Sequence, residues 1–175
     1  MRSWTLPNAE ATSRFGVALG ARLRGGEAIA LVGDLGAGKT TMTQAIARGM
    51  GITAHVTSPT FGLVHEYPGP IPLFHFDTYR LERAEDLYGL GFLEYFERQG
   101  VVVVEWADKF PELLPTDRLI LKLTADTAPT AEAKGEDAPR TLVTVADGAY
   151  YQSLLTGLAQ SQAVSDLLGR CLETC

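Results

Sequence analysis

The chain has 175 residues, 46% hydrophobic and 21% charged, with a formal net charge of −6. That length suits one domain, residues 1–175, able to bury a core without disulfide or metal staples. The acidic balance speaks against a broad contact with a nucleic-acid backbone, which needs a basic surface. Asn8 can cap a helix over about 9–24, with Phe15, Ala18, Leu19 and Leu23 as its buried stripe and Gly25-Gly26 as its stop. Ala28–Val32 reads as a buried strand, followed by a glycine-rich turn and a helix from Lys39 to about Met50. Residues 53–72, rich in Pro, Gly, Ser and Thr, are expected to be irregular. Leu73–Phe76 is a short strand ending in Asp77, and two short helices are expected over 82–91 and 92–98. Val101–Trp106 is a central strand, apolar on both faces as parallel sheets require. Arg118–Thr124 alternates Leu119, Leu121 and Leu123 with polar residues, so one of its faces is expected to be wet. Residues 125–139 read as an exposed loop, Thr141–Val145 as a strand antiparallel to 118–124, and residues 150–175 as an additional C-terminal helix with Leu154, Leu155, Leu158, Leu167 and Leu168.

Strands alternating with helices early in the chain predict an α/β fold. The expected sheet is mixed, with a parallel core, antiparallel edge strands and helices on both faces. The N-terminus lacks the apolar stretch of a signal peptide, and no apolar run approaches the roughly 18 residues of a spanning helix. The chain is therefore expected in the cytoplasm, with no membrane contact. Cys171 and Cys175 offer no disulfide framework and read as packing residues.

Gly33-Asp34-Leu35-Gly36-Ala37-Gly38-Lys39-Thr40 fits G-x-x-x-x-G-K-[ST] at every fixed position, after a strand and at the start of a helix. Each choice has a chemical reason. Gly33, Gly36, Ala37 and Gly38 let the backbone curl so that successive N–H groups face anionic oxygens, and the following helix offers its positive end. Lys39 reaches the β- and γ-phosphates, the Thr40 hydroxyl is a Mg²⁺ ligand, and Thr41 can donate to the α-phosphate. The ligand implied is ATP or ADP with Mg²⁺.

Such a loop needs an acid at the end of a neighbouring strand. Glu105, directly after four valines, and Asp77, after Leu73-Phe74-His75-Phe76, both qualify. Glu105 is expected in the metal shell and Asp77 near the γ-phosphate or the attacking water. Thr57-Ser58-Pro59-Thr60 lies where a switch segment could sense the γ-phosphate or the metal. His55, His65 and His75 are scattered, and His75, the one near the site, is expected to be structural. Arg80 could contact phosphate or a partner, or simply be solvated.

Taken together, Gly33–Thr41, Ser58-Pro59-Thr60-Phe61, His75-Phe76-Asp77-Thr78-Tyr79-Arg80-Leu81 and Val104-Glu105-Trp106 resemble the TsaE (YjeE) family, over about residues 12–145. The resemblance implies a P-loop ATPase acting with TsaB-like and TsaD-like partners to form N6-threonylcarbamoyladenosine at position 37 of tRNAs reading ANN codons. The tRNA would be contacted mainly through the partners, which suits an acidic chain. By the same resemblance Thr40 and Glu105 fall on the Mg²⁺ ligands and Gly36–Thr41 on the phosphate cradle. Asp77 falls on the aspartate that supports hydrolysis, Thr60 on the switch threonine, and Thr12 and Arg140 near the base. With no arginine finger evident, hydrolysis is expected to be slow alone and faster with partners. Two rivals share the P-loop: a small-molecule kinase, which would transfer phosphate to a metabolite, and a nucleotide-gated binding module without turnover.

Overall fold

The computed structural model describes residues 1–125 and 138–167. Its strands are β1 (Arg2–Leu6), β2 (Ala28–Val32), β3 (Val64–Tyr67), β4 (Leu73–Asp77), β5 (Val101–Glu105), β6 (Arg118–Ala125) and β7 (Arg140–Asp147). Its helices are α1 (Ala9–Gly20), α2 (Lys39–Gly49), α3 (Glu85–Tyr88) and α4 (Ala149–Ala159). The strands form one mixed sheet in the order β1-β7-β6-β2-β5-β4-β3. Its centre, β6-β2-β5-β4, is parallel, while β3 and β7 add to it antiparallel and β1 pairs antiparallel with β7.

The two-residue period of a strand sorts side chains to opposite faces. Val101 and Val103 join Ile29, Leu31, Leu119 and Leu121 in a core that also takes Phe15 and Leu19 of α1, Met42 and Ile46 of α2 and Leu155 of α4. Val102 and Val104 face the other way with Phe74 and Phe76, onto Leu87, Phe92 and Leu113. The three long helices therefore share one face. The other is covered by α3 and by short 3₁₀ turns at Leu93–Glu97, Ala107–Lys109 and Pro111–Leu113.

Glycines bring α1 and α2 unusually close. A Cβ at Gly20 would lie 2.1 Å from the Ile46 carbonyl oxygen, and one at Gly16 would lie 2.4 Å from Ala45 Cβ. This contact fixes α2, whose first residue is Lys39 of the glycine-rich turn. Because the obstacle at Gly20 is backbone, Gly20→Ala is expected to force the helices apart and lower stability by about 1–3 kcal/mol. Urea denaturation checks this; an unchanged midpoint would mean that the crossing has slack.

Several expected elements differ. The first helix stops at Gly20 rather than near Arg24, because Arg22 and Leu23 N–H turn back to Leu19 and Gly20 carbonyls, which buries Leu23. Of the helix expected over 82–91 the α-helical part is Glu85–Tyr88, after which the Leu90 and Gly91 N–H groups bond three residues back, to the Leu87 and Tyr88 carbonyls. The helix expected over 92–98 is a 3₁₀ turn at Leu93–Glu97. The C-terminal helix ends at Ala159, where the Ser161 hydroxyl donates to the Leu158 carbonyl and the chain turns to bury Val164 and Leu167. The rest of that expected helix, Leu168, both cysteines and most of the loop expected over 125–139 lie outside the described residues. Two strands were not foreseen. β1 alternates Trp4 and Leu6 inward, with Trp4 Nε1 donating to Thr144 Oγ1 at 3.1 Å. β3 lies within the stretch expected to be irregular and pairs with β4, His65 opposite His75.

Candidate functional site

The parallel strands β2, β4 and β5 end together. Their carboxyl ends deliver Val32, Asp77 and Glu105 to one side of the sheet, where open α/β sheets bind ligands. Asp77 pairs in register with Glu105. A cleft of about 550 Å³ opens there, lined by Leu35, Gly36, Gly38, Lys39, Thr40, Thr41, Ser58, Thr60, Asp77, Tyr79, Glu105, Trp106 and Arg140. Gly36 and Gly38 have φ of 79° and 101°, in the left-handed region that favours glycine. A Cβ on Gly36 would meet nothing within 4 Å, so the loop leaves open space on its inner side. Gly38 caps α2 without a side chain, leaving the helix's positive end facing the cleft.

Lys39 is nearly buried, and its Nζ donates to the Gly33 and Asp34 carbonyls at 2.6 and 2.8 Å. The ring of Trp106 covers it, 3.5 Å from ammonium nitrogen to ring centroid. Trp106 reaches that place through a positive φ of 58°, strained for an aromatic residue, and stacks at a tilt against Tyr79. Burial lowers the Lys39 pKa, and Glu105, Asp77, Asp108 and Asp34 pull it partly back.

The two acids differ in their surroundings. Glu105 Oε2 accepts from Thr40 Oγ1 at 3.0 Å, and its Oε1 lies 2.8 Å from His75 Nε2. Asp77 Oδ2 accepts from Ser58 Oγ at 2.5 Å and from Thr60 Oγ1 at 2.7 Å, while its Oδ1 accepts from the Tyr79 N–H at 2.9 Å. The pair Thr40 and Glu105 is a set of hard oxygen donors. Among the described residues no cluster of three His, Cys, Asp or Glu side chains could hold an ion by itself. That combination fits Mg²⁺, which takes one or two protein oxygens and fills its shell from phosphates and water.

A sequence profile described as "Threonylcarbamoyl adenosine biosynthesis protein TsaE" matches residues 6–133. The chain belongs to the TsaE family. The tRNA threonylcarbamoyladenosine biosynthesis protein TsaE of Bacillus subtilis (strain 168) is 39% identical over 165 residues, 93% of this chain and 97% of the relative. The TsaE of Treponema pallidum (strain Nichols) is 39% identical over 121 residues, 68% of this chain and 90% of the relative. A crystal structure of B. subtilis YdiB superposes with a TM-score of 0.72 at 36% identity, covering 90% of this chain and 93% of that one. The TsaE profile takes in the glycine loop, Asp77 and Glu105, and ends before β7, which carries Arg140.

Of the residues singled out in the sequence, the fold brings Gly36, Gly38, Lys39, Thr40, Thr41, Thr60, Asp77, Glu105 and Arg140 to the cleft. Gly33 and Ala37 stand behind it: the Gly33 carbonyl holds Lys39, and the Ala37 carbonyl accepts from Arg140 Nε at 3.1 Å. Thr12 is not among the lining residues; it is buried in α1, and its hydroxyl donates to the Asn8 carbonyl at 3.3 Å. Arg80 is exposed, its guanidinium 4.1 Å from the centroid of Phe61, itself 85% exposed. Ser58 was expected only as part of the switch segment and His75 as structural, while Tyr79 and Trp106 were given no role. Each sits within two residues of one that was chosen, and His75 shares Asp77's face by the period of the strand. No helix among the described residues is long and apolar enough to cross a membrane.

Proposed function

We propose that this TsaE-family chain is a single P-loop ATPase domain, residues 1–175, that binds ATP with Mg²⁺ in the cleft and hydrolyses it. It would do so as the nucleotide-driven component of a complex forming N6-threonylcarbamoyladenosine at position 37 of tRNAs reading ANN codons. TsaB-like and TsaD-like proteins would be its partners and would carry the tRNA contacts. The observation that supports this best is the 3.0 Å contact between Thr40, at the start of α2, and Glu105, beside a glycine loop with open space inside it.

In this reading the backbone N–H groups of residues 36–41 and the Lys39 ammonium bind the phosphates. Thr40 and Glu105 would hold Mg²⁺, which when bound supplies positive charge to the β- and γ-phosphate oxygens. Asp77 orients a water and receives its proton. Arg140, at the cleft edge, and Thr12, through the first turn of α1, are the candidates for the base end. Asp77 Oδ2 already accepts two hydroxyls, from Ser58 and Thr60. Those bonds restrain it from acting on water until the Ser58–Thr60 segment shifts, which supports slow hydrolysis by the chain alone.

ATP hydrolysis is measured with the chain alone, then with TsaB-like and TsaD-like proteins, tRNA, threonylcarbamoyl-adenylate and Mg²⁺, scoring modified adenosine in the same tubes. Stimulated hydrolysis with repeated rounds of modification is expected. Equal hydrolysis alone and in the mixture contradicts the restraint on Asp77. Phosphate transfer to a small metabolite would favour a kinase instead.

A further inference from the structure

We propose that His75 is a positioning residue that turns Glu105 into a metal ligand. This rests on the reading of the cleft as a Mg²⁺–nucleotide site. His75 and Glu105 lie on the same face of neighbouring parallel strands, with His75 opposite Val103 and Asp77 opposite Glu105. Both side chains are almost completely buried, at 0% and 3% exposure. An ionised carboxylate only accepts hydrogen bonds, so the contact requires His75 Nε2 to carry the hydrogen and donate it to Oε1. Glu105 is thereby held by one oxygen, and its other oxygen faces Thr40.

The rest of the imidazole makes a purely architectural role a poor explanation. Nδ1 is buried without a hydrogen-bond partner among the described residues. Burying a polar ring with one nitrogen orphaned costs stability that a leucine at this position would not. The return is the orientation of Glu105. Lys39 and Glu105 line the same cleft and attract each other, so an unrestrained carboxylate would be drawn towards the ammonium. That would take both groups away from their ligands. Residues that hold a metal's ligands are worth about 10–100-fold in metal affinity.

The test compares His75→Asn, whose amide is too short to reach Glu105, with His75→Gln, whose amide nitrogen extends to about the place of Nε2. ADP binding is followed by calorimetry at rising Mg²⁺, after circular dichroism has shown each variant folded. His75→Asn is expected to raise the half-saturating Mg²⁺ concentration about 10–100-fold. His75→Gln should restore most of the loss, and ADP binding in EDTA should be the same in all three proteins. An unchanged Mg²⁺ requirement in His75→Asn overturns the proposal. A wild type whose ADP binding ignores Mg²⁺ overturns the metal site itself and the proposal with it. If His75→Asn does not fold, nitrogen NMR of the wild-type imidazole decides. The Nε2–H tautomer, with a signal that moves when Mg²⁺ joins bound ADP, is expected. An Nδ1–H tautomer, or no response to Mg²⁺, overturns the proposal.

Discussion

Lys39→Ala is expected to lower ATP turnover by about 10²–10³-fold, the cost of removing one preorganised donor from developing charge. Nucleotide affinity should fall as well, because the ammonium sits on the Gly33 and Asp34 carbonyls of the glycine loop and interacts with both acids. The fold should survive. The lowered Lys39 pKa means that the folded protein holds this proton less tightly than the unfolded chain does. The resulting cost to folding is present below the folded pKa and is relieved as pH rises towards 10.5, the ordinary value. Removing the ammonium removes that cost but also its bonds to the Gly33 and Asp34 carbonyls, so the thermal midpoint at neutral pH should stay near the wild type's. Steady-state hydrolysis and thermal unfolding of the same preparation check both halves. A variant that hydrolyses normally, or one inactive only because it has unfolded, would contradict the role given to Lys39.

Asp77→Asn is expected to separate binding from chemistry. Asparagine keeps the shape and can still accept from Ser58 or Thr60, so the cleft should remain formed. It lacks the basic carboxylate, and losing a positioned proton acceptor costs about 10²–10⁴-fold in rate. Nucleotide affinity should stay near the wild-type value if, as proposed, Thr40 and Glu105 hold the metal and Asp77 acts on the water. Single-turnover hydrolysis beside calorimetric binding distinguishes the two effects. Full hydrolysis in Asp77→Asn would leave water activation to another group; lost binding would mean that Asp77 belongs to the cradle.

The parts of the site that could be read from the sequence are those with a local pattern. The glycine loop and Lys39 are contiguous, and the apolar run Val101–Val104 marks a central strand whose end must present Glu105. Leu73–Phe76 does the same for Asp77. The parts that could not be read depend on partners distant in the chain. β1 is five residues at the terminus, and its inward alternation gains meaning only when Trp4 meets Thr144, 140 positions away. The bonds from Ser58 and Thr60 to Asp77 span 19 and 17 positions, with no spacing rule linking a loop hydroxyl to a strand end. His75 looked structural because a lone histidine in an apolar strand usually is; the register of β4 on β5 places it against Glu105. The early end of α1 is also tertiary, set by the turn that buries Leu23 after the close crossing at Gly20.

The most direct test is calorimetric titration of the chain alone with a non-hydrolysable ATP analogue, with and without Mg²⁺. One nucleotide per chain, bound more tightly when Mg²⁺ is present, is the expected result. No binding, or binding that Mg²⁺ leaves unchanged, would contradict the assignment of the Thr40–Glu105 cleft as a Mg²⁺–nucleotide site.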